Sequence, residues 1–339
     1  MHTRTIPLAA VAALSLVVAG CSSDGDADPV DDTTSGASTS DATTDAAAAE
    51  CLPVPGDQLV VLDDDQMLQN SDNIIPALNT ESSTDHILEV LTLVQDALDT
   101  PTLIELNKAV DIDRQTSGDV AEQWVADAGL TIPESDDGGS LTIGAANFSE
   151  NITLAEIYAD VLDEAGYDTE VREIGSRETY LPALINGDID IVPEYAATFT
   201  EYLNLAINGA DAAPVASGDI AQTVAALEPL AQEQGIAIGT AADAQDQNAF
   251  AVTTAFAQEY EVSTLSDLAE SCSGIVLGGP PECPERPFCQ VGLEDTYGIE
   301  VNQFLSLDAG GPLTKNAITN GDIAVGLVFS SDGALAPTE

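Results

Sequence analysis

The chain has 339 residues and a formal net charge of −52, because 59 Asp and Glu residues stand against only 7 Lys and Arg residues. Phosphate binding needs a positive surface, so this balance argues against nucleic acid as a partner and against direct docking on anionic lipid headgroups. The length allows two domains and a sizeable core.

The N-terminus has the pattern of a lipoprotein signal peptide over residues 1–20. His2 and Arg4 precede an apolar stretch, residues 6–18, that is too short to span a bilayer as a mature helix. The stretch ends in VAGC, which resembles a bacterial lipobox and implies cleavage before Cys21 and a lipid on its thiol. The alternative is an ordinary secretory signal with an incidental cysteine.

A polar segment, residues 21–50, follows the signal. It is rich in Asp, Ser, Thr and Ala and has almost no large apolar side chain, so we expect it to stay disordered. As a flexible tether it would reach on the order of 30 Å. A lipid, a tether and a folded body predict a protein held on the extracellular face of the cell membrane.

Four cysteines remain in the body of the chain, namely Cys51, Cys272, Cys283 and Cys289. An even number in an exported chain suggests two disulfides, for which three pairings exist. We favour Cys283–Cys289 with Cys51–Cys272. Zinc is the rival, but no nearby histidine or CxxC pair supports it, and we expect no metal or other cofactor.

The first part of the body reads as a strand at 58–62, an extended segment around Pro76, and helices at 84–98, 102–110 and 117–128. The aspartates at 63–65 lack the glycine and glutamate spacing of an EF-hand, so we interpret them as a solvated turn. Trp124 is expected in the core.

A polar linker at 132–140 leads into a strand at 141–144 and a helix that Ser149 could cap and Gly166 would end. A strand, a polar turn and a helix N-terminus form a natural carboxylate site. A strand at 170–174 and a helix beginning after Ser176 follow.

One pattern occurs twice. Residues 183–191 read ALINGDIDI and residues 317–325 read AITNGDIAV, each predicting a helix, an Asn-Gly stop and a buried strand. The first strand is predicted at 189–192, with a loop after it carrying Tyr195, and the register places Tyr195 opposite Phe329. Since ligands bind at the carboxyl ends of strands in open α/β sheets, two lobes would each present one ring to a shared cleft. The alternative is a chance match, because this turn is common.

The remaining pattern alternates strands with helices, which favours an α/β fold. The predicted segments are helices to 207 and at 220–234, 263–269 and 292–297, and strands at 236–239, 247–252, 275–278 and 304–307.

An ordered set of segments resembles the substrate-binding proteins of osmoprotectant ABC importers, the glycine betaine, choline and carnitine class. The segments are IGAANFSEN, GSRE, NGDIDIVPEY, QNAFAVTT, TLSDLA, GPPECPERP, GLEDTYG and VGLVFSSDG. The resemblance implies the type II periplasmic-binding-protein fold, two α/β lobes around a hinge. It also implies a small-molecule ligand and an ABC permease with its ATPase as partners, and we expect a monomer.

The N-terminal block resembles the segment that normally ends such proteins, so the chain looks circularly permuted. It carries LVVLDDDQMLQNSDNIIPAL, LIELNKAVDID and DVAEQWVADAGL before LTIG. The resemblance implies lobe 1 at 51–239, with the permuted segment 51–130 joined to 141–239, then lobe 2 at 240–332 and a tail at 333–339. We expect the permutation to cut one of the two chain crossings between the lobes, and a Cys51–Cys272 disulfide to replace it.

The resemblance also implies a ligand site. Tyr195 and Phe329 match cage aromatics, Thr198 matches a carboxylate-binding threonine, Arg286 lies near a carboxylate-binding arginine, and Asn147 and Ser149 belong to the first ligand loop. Aromatic faces suit a quaternary ammonium through cation–π attraction. Arg177 could be structural or ligand-binding.

Three departures weaken the expected cage. Asn248 and Gln290 stand where relatives carry further tyrosines, and Ala146 stands where many carry a polar or basic residue. The ligand could therefore be another small zwitterion or polar solute.

Enzymes are the first rival class, but no GxSxG, HExxH, Walker or dinucleotide pattern is present, so we expect no catalysis. The second rival is a ligand-binding surface sensor. For an importer, hinge closure over the ligand would precede docking on the permease.

Overall fold

The computed structural model describes residues 50–135 and 138–337. The predicted signal peptide, Cys21 and the tether up to residue 49 lie outside the described residues. Within that part of the chain, no helix has both the length and the apolar character needed to cross a membrane.

The described chain alternates strands with helices, as predicted. The strands are β1 (Leu59–Leu62), β2 (Ile74–Asn79), β3 (Ser140–Ala146), β4 (Asp168–Gly175), β5 (Ile191–Tyr195), β6 (Ile236–Ile238), β7 (Asn248–Thr253), β8 (Ile275–Gly279), β9 (Val301–Ser306) and β10 (Val325–Phe329). The helices are α1 (Asp85–Ala97), α2 (Thr100–Asn107), α3 (Ser117–Ala128), α4 (Ser149–Glu164), α5 (Arg177–Asn186), α6 (Ala196–Asn208), α7 (Ile220–Glu233), α8 (Thr254–Glu259), α9 (Leu265–Ser271), α10 (Gln290–Gly292) and α11 (Pro312–Asn320).

Two five-stranded sheets in the described residues form two lobes. Their orders are β4-β3-β5-β2-β6 in lobe 1 and β9-β8-β10-β7-β1 in lobe 2. In each sheet, the first three strands in this order are parallel to one another, and each of the last two is antiparallel to the strand before it. The two lobes therefore have equivalent arrangements. Each lobe has its own buried apolar clusters.

The repeated Asn-Gly units form as predicted. Gly187 ends α5 at φ 74° and Gly321 ends α11 at φ 75°, the left-handed region that glycine adopts without steric cost. The strand after the first unit begins later than predicted, since β5 covers Ile191–Tyr195 and Tyr195 is its last residue instead of part of a loop. Tyr195 and Phe329 therefore end equivalent strands.

The first strand corrects our lobe boundary. β1 pairs with β7, so the segment that begins at Cys51 belongs to lobe 2, and lobe 1 begins only with β2. Both predicted disulfides, Cys51–Cys272 and Cys283–Cys289, are present, and all four cysteines lie in one buried cluster of lobe 2. The expectation that Cys51–Cys272 joins the lobes is therefore wrong.

Two crossing segments connect the lobes, residues 63–73 and residues 239–247, so no crossing has been lost. They lie side by side, because Asn73 bridges Gln245 and the Asp246 amide donates to the Asp72 carbonyl oxygen at 3.1 Å. Paired segments of this kind are where a hinge bends.

The described part of the predicted tail, residues 333–337, packs against the rest of the chain. Residues 333–335 form a short turn against lobe 1, where a side chain at Gly333 would collide with the Lys108 backbone at 2.6 Å. The side-chain amide of Gln58 donates through Nε2 to the Ala336 carbonyl oxygen at 3.2 Å, so the start of β1 and the end of the described chain are neighbours.

Trp124 packs against the apolar core of lobe 1 as predicted, but it is only half-buried and also lines a groove. Two other local expectations were wrong. Phe148 takes the N-cap position of α4, so Ser149 is its first residue, and no side chain caps the helix. Asn151 ties the strand to the helix instead, since its Oδ1 accepts from the Ala146 amide at 2.7 Å. Asp64 is also more than a solvated turn, because its carboxylate accepts from the amides of Leu68 and Gln69.

Candidate functional site

A cavity of about 660 Å³ lies between the lobes and the crossing segments. Its volume falls within the range of small-molecule sites in proteins. Its lining comes from the ends of β3, β5 and β10, the start of β7, the N-terminal parts of α5 and α6, the crossing segments and the loop closed by Cys283–Cys289. The lining residues are Gln69, Asn70, Asp72, Ala146, Asn147, Phe148, Ser176, Arg177, Glu178, Tyr180, Tyr195, Ala197, Thr198, Glu201, Asp246, Gln247, Asn248, Phe288 and Phe329.

Four aromatic rings other than Tyr180 line this cleft. Lobe 1 contributes Tyr195 and Phe148, whose ring centroids lie 6.0 Å apart. Lobe 2 contributes Phe329 and Phe288, each 40% exposed. Exposed phenylalanine rings on the wall of a cavity are available to a ligand, and aromatic faces attract organic cations.

Behind Tyr195 lies a buried carboxyl group. The Tyr195 hydroxyl donates to Glu150 Oε1 at 2.8 Å, and Asn107 Nδ2 donates to Glu150 Oε2 at 2.6 Å and to the Ser331 carbonyl oxygen at 2.8 Å. Burial, and next the charge of Asp246, raise the pKa of Glu150 to about 8. Glu150 therefore holds a proton at neutral pH while it positions the Tyr195 ring.

The one basic residue among the described lining residues is engaged by a buried acid. Arg177 donates through Nε and Nη2 to both carboxylate oxygens of Glu194, at 3.0 and 2.6 Å, and the Tyr180 hydroxyl donates to the same carboxylate at 2.8 Å. The guanidinium also lies 5.9 Å from the Phe199 ring centroid. Although burial disfavours its charge, Glu194 raises the pKa of Arg177. This geometry is that of a structural ion pair.

Two further carboxyl groups, one on each crossing segment, line the cleft. Asp72 Oδ1 accepts from the Thr198 amide at 2.8 Å, which places this carboxylate at the N-terminus of α6. Asp246 Oδ1 accepts from the Ser331 hydroxyl at 3.0 Å. Burial raises the pKa of Asp72 to about 6, and burial also raises the pKa of Asp246. At pH 7.5 the Asp72 group is therefore mainly ionised.

The structure brings together five of the eight residues predicted for the site, since Asn147, Tyr195, Thr198, Asn248 and Phe329 all line the cleft. Ser149 lines an adjoining cavity with Phe148 and Phe329. Arg286 and Gln290 lie outside the lining. Arg286 is exposed, and Gln290 Nε2 donates to Glu294 Oε1 at 2.8 Å.

Sequence reasoning missed Phe148, Phe288 and the two aspartates. The phenylalanines had a usable signal, because one lies in the turn after β3 and the other lies in the loop closed by Cys283–Cys289. Asp72 and Asp246 had none, since acids occur throughout so acidic a chain and only the fold sets these two side by side.

The sequence model of one protein family, described as the substrate-binding domain of ABC-type glycine betaine transport systems, matches residues 42–127 and 139–338. The chain belongs to this family. Members of the glycine betaine family are solute-binding proteins and not enzymes, and they work with a small-molecule ligand and an ABC permease. The chain has two α/β lobes with equivalent strand orders. As a member of this family, it therefore has the type II periplasmic-binding-protein fold.

Solved structures similar to this member of the glycine betaine family include a glycine betaine/carnitine/choline ABC transporter protein. It is 20% identical, with a TM-score of 0.45, and the match covers 59% of this chain and 71% of that one. The murein tripeptide binding protein MppA in its unliganded open form matches at 13% identity and a TM-score of 0.27, over 55% of this chain and 43% of that one. Haemophilus influenzae OppA in complex with RPPGFSPFR matches at 13% identity and a TM-score of 0.25, over 53% of this chain and 43% of that one.

Proposed function

We propose that this protein captures a small osmoprotectant with an alkylammonium head in the cleft between its lobes. The observation that carries the proposal is the set of four rings, Phe148 and Tyr195 from lobe 1 and Phe288 and Phe329 from lobe 2, around one cavity. Each ring that faces a quaternary ammonium contributes about 0.5–2 kcal/mol. Glycine betaine, choline and carnitine are the candidate ligands, and another small zwitterion or polar solute is the alternative.

Closure of the lobes would complete the site. The rings come from both lobes, and the crossing segments 63–73 and 239–247 form a paired hinge. A ligand held by one lobe would therefore favour the conformation in which the other lobe covers it. We propose that this closed form delivers the ligand to the membrane permease. A surface sensor with the same fold is the alternative.

We also propose that the protein is exported and anchored by a lipid on Cys21. The two disulfides support export, because such bonds persist in oxidising compartments. Mass spectrometry of the mature N-terminal peptide tests the anchor, since an unlipidated thiol at Cys21 would contradict it.

Calorimetry with glycine betaine, choline and carnitine tests the ligand class. We expect saturable binding by at least one of them. Phe329→Leu should weaken it about 2- to 30-fold, because leucine keeps an apolar side chain but removes the cation–π attraction. Leu313→Ala is the matched control, since Leu313 is 62% exposed and lies outside the cleft lining. The absence of binding by all three compounds would refute the proposed ligand class.

A further inference from the structure

We propose that the cleft selects a small organic cation that has no carboxylate over the zwitterion with the same ammonium head. The proposal rests on the proposed function, because it takes the interlobe cleft as the ligand site. It concerns the end of the ligand opposite to the ammonium group, where a hydroxyl and a carboxylate have different requirements.

The side chains that the sequence predicted as carboxylate partners are engaged by protein groups or lie outside the cleft. The Arg177 guanidinium donates through Nε and Nη2 to both carboxylate oxygens of Glu194. The Thr198 amide donates to Asp72 at 2.8 Å, and the Thr198 hydroxyl lies within bonding distance of the Tyr195 carbonyl oxygen at 3.4 Å. Arg286, the other expected partner, lies outside the lining. At Arg177, a ligand carboxylate would therefore meet a guanidinium whose charge Glu194 already compensates.

The cleft also has an excess of acids. Asp72, Glu178, Glu201 and Asp246 line it, and Arg177 is the one base among the described lining residues. Glu201 is held by two amides at 2.6 Å, and Glu178 is exposed. The two aspartates on the hinge have no basic partner in any described ion pair. A cation gains from these charges, whereas a carboxylate brought beside them is repelled, and burial strengthens both effects.

One lining residue has a hydrogen-bond acceptor to which a ligand hydroxyl could donate. The side-chain oxygen Oε1 of Gln247 is buried and has no hydrogen-bond partner among the described residues. A buried acceptor without a donor costs stability, so a ligand that brings an O–H group gains by satisfying it. Glycine betaine at neutral pH has no N–H or O–H donor. The amides of Asn147 and Asn248 serve a hydroxyl as well as a carboxylate and do not discriminate.

Choline and glycine betaine are suitable probes, because they share the trimethylammonium head and differ in a hydroxymethyl group against a carboxylate. Calorimetry of the purified protein at pH 7.5 should give a dissociation constant for choline at least about tenfold lower than that for glycine betaine. The uncharged isostere 3,3-dimethylbutan-1-ol should bind more weakly than choline, because it keeps the hydroxyl but lacks the positive charge.

The Asp72→Asn variant should reduce the ratio of the two affinities by weakening choline binding more than glycine betaine binding, because it removes a cleft charge while its side-chain oxygen can still accept from the Thr198 amide. Asp96→Asn is the matched control, since it removes one carboxylate from an exposed position on α1. The readout is the ratio of two affinities measured on the same variant. A loss of stability would weaken the binding of both ligands and would not by itself change this ratio. Thermal melts check that both variants fold.

The outcomes separate the two proposals. Equal or tighter binding of glycine betaine would overturn the preference and leave the proposed function intact. The same would hold if Asp72→Asn left the ratio unchanged. Binding of neither compound would overturn the proposed ligand class, and the preference with it.

Discussion

Glu150 is buried at 5% exposure behind the Tyr195 ring, where Asn107, Asp246 and Ser331 surround it. The ordinary pKa of a glutamate is well below neutrality, whereas burial raises the pKa of Glu150 to about 8. At pH values between these two pKa values, Glu150 holds a proton in the folded protein, whereas the same side chain has released its proton in the unfolded chain. The free energy of unfolding therefore falls as pH rises through this window, by up to about 1.4 kcal/mol per pH unit for one group.

The prediction is that the protein melts at a higher temperature at pH 6 than at pH 8. Protonation of Asp72 and Asp246, and the relief of the overall negative charge, contribute in the same direction. Glu150→Gln isolates the part due to one residue, because its amide imitates the protonated carboxyl group. The variant should melt higher than the wild-type protein at pH 8 and show a smaller difference between the two pH values. An unchanged difference would show that Glu150 is ionised in the folded state.

The two disulfides act on different elements. Cys51–Cys272 holds the segment before β1 against lobe 2, where the Cys51 amide also donates to the Gly274 carbonyl oxygen at 3.1 Å. Its cysteines are 221 residues apart. Cys283–Cys289 spans 6 residues and closes the loop that carries Phe288. A longer loop restricts the unfolded chain more, so the first bond should matter more for stability.

Replacing each pair by serine tests this division. The Cys51→Ser, Cys272→Ser protein should lose about 2–5 kcal/mol of unfolding free energy with little change in ligand affinity. The Cys283→Ser, Cys289→Ser protein should lose less stability but bind more weakly, because Phe288 is no longer held in place. Denaturant unfolding and calorimetry provide the two readouts, and each variant is the control for the other. The reverse pattern would contradict the roles assigned to the two bonds.

At the scale of the whole molecule, we propose that the chain is a circular permutation of its family's usual order. The proposal comes from the N-terminal block, which resembles the family's C-terminal segment. Its support is spatial, since Gln58 contacts Ala336 and the crossing 63–73 is retained. A cut between β10 and β1 would lie inside lobe 2, where those ends are neighbours, and would leave both hinge connections intact.

A reordered chain tests the proposal. It would run from residue 131 to 337, continue through a short Gly-Ser linker into 57–130, and carry Cys272→Ser because Cys51 is absent. The Cys51→Ser, Cys272→Ser protein is the matched control. We expect the same fold by circular dichroism and the same ligand affinity within about threefold, because cuts at adjacent surface ends are tolerated. Failure to fold while the control folds would contradict the proposal.

Much of the architecture was predictable from the sequence because it depends on short-range patterns. Apolar periodicity located α1 and α3, and the Asn-Gly stops located the turns after α5 and α11. The same repeat correctly made Tyr195 and Phe329 equivalent, although it placed Tyr195 in a loop and not at the end of β5. The lobe to which β1 belongs was not predictable in this way, because the sequence of a single strand does not specify which sheet it joins.

By itself, the sequence predicted the α/β alternation and the family, favoured the disulfide pairing that the structure has among three possible pairings, and named five residues that line the cleft. Only the tertiary structure decided that Cys51–Cys272 lies within one lobe, that Arg177 forms an ion pair with Glu194, and that Arg286 lies outside the cleft. It also placed Asp72 beside Asp246. The physical reason is that helices, turns and buried strands follow from neighbouring residues, whereas the partner of a charge depends on contacts between residues far apart in the chain.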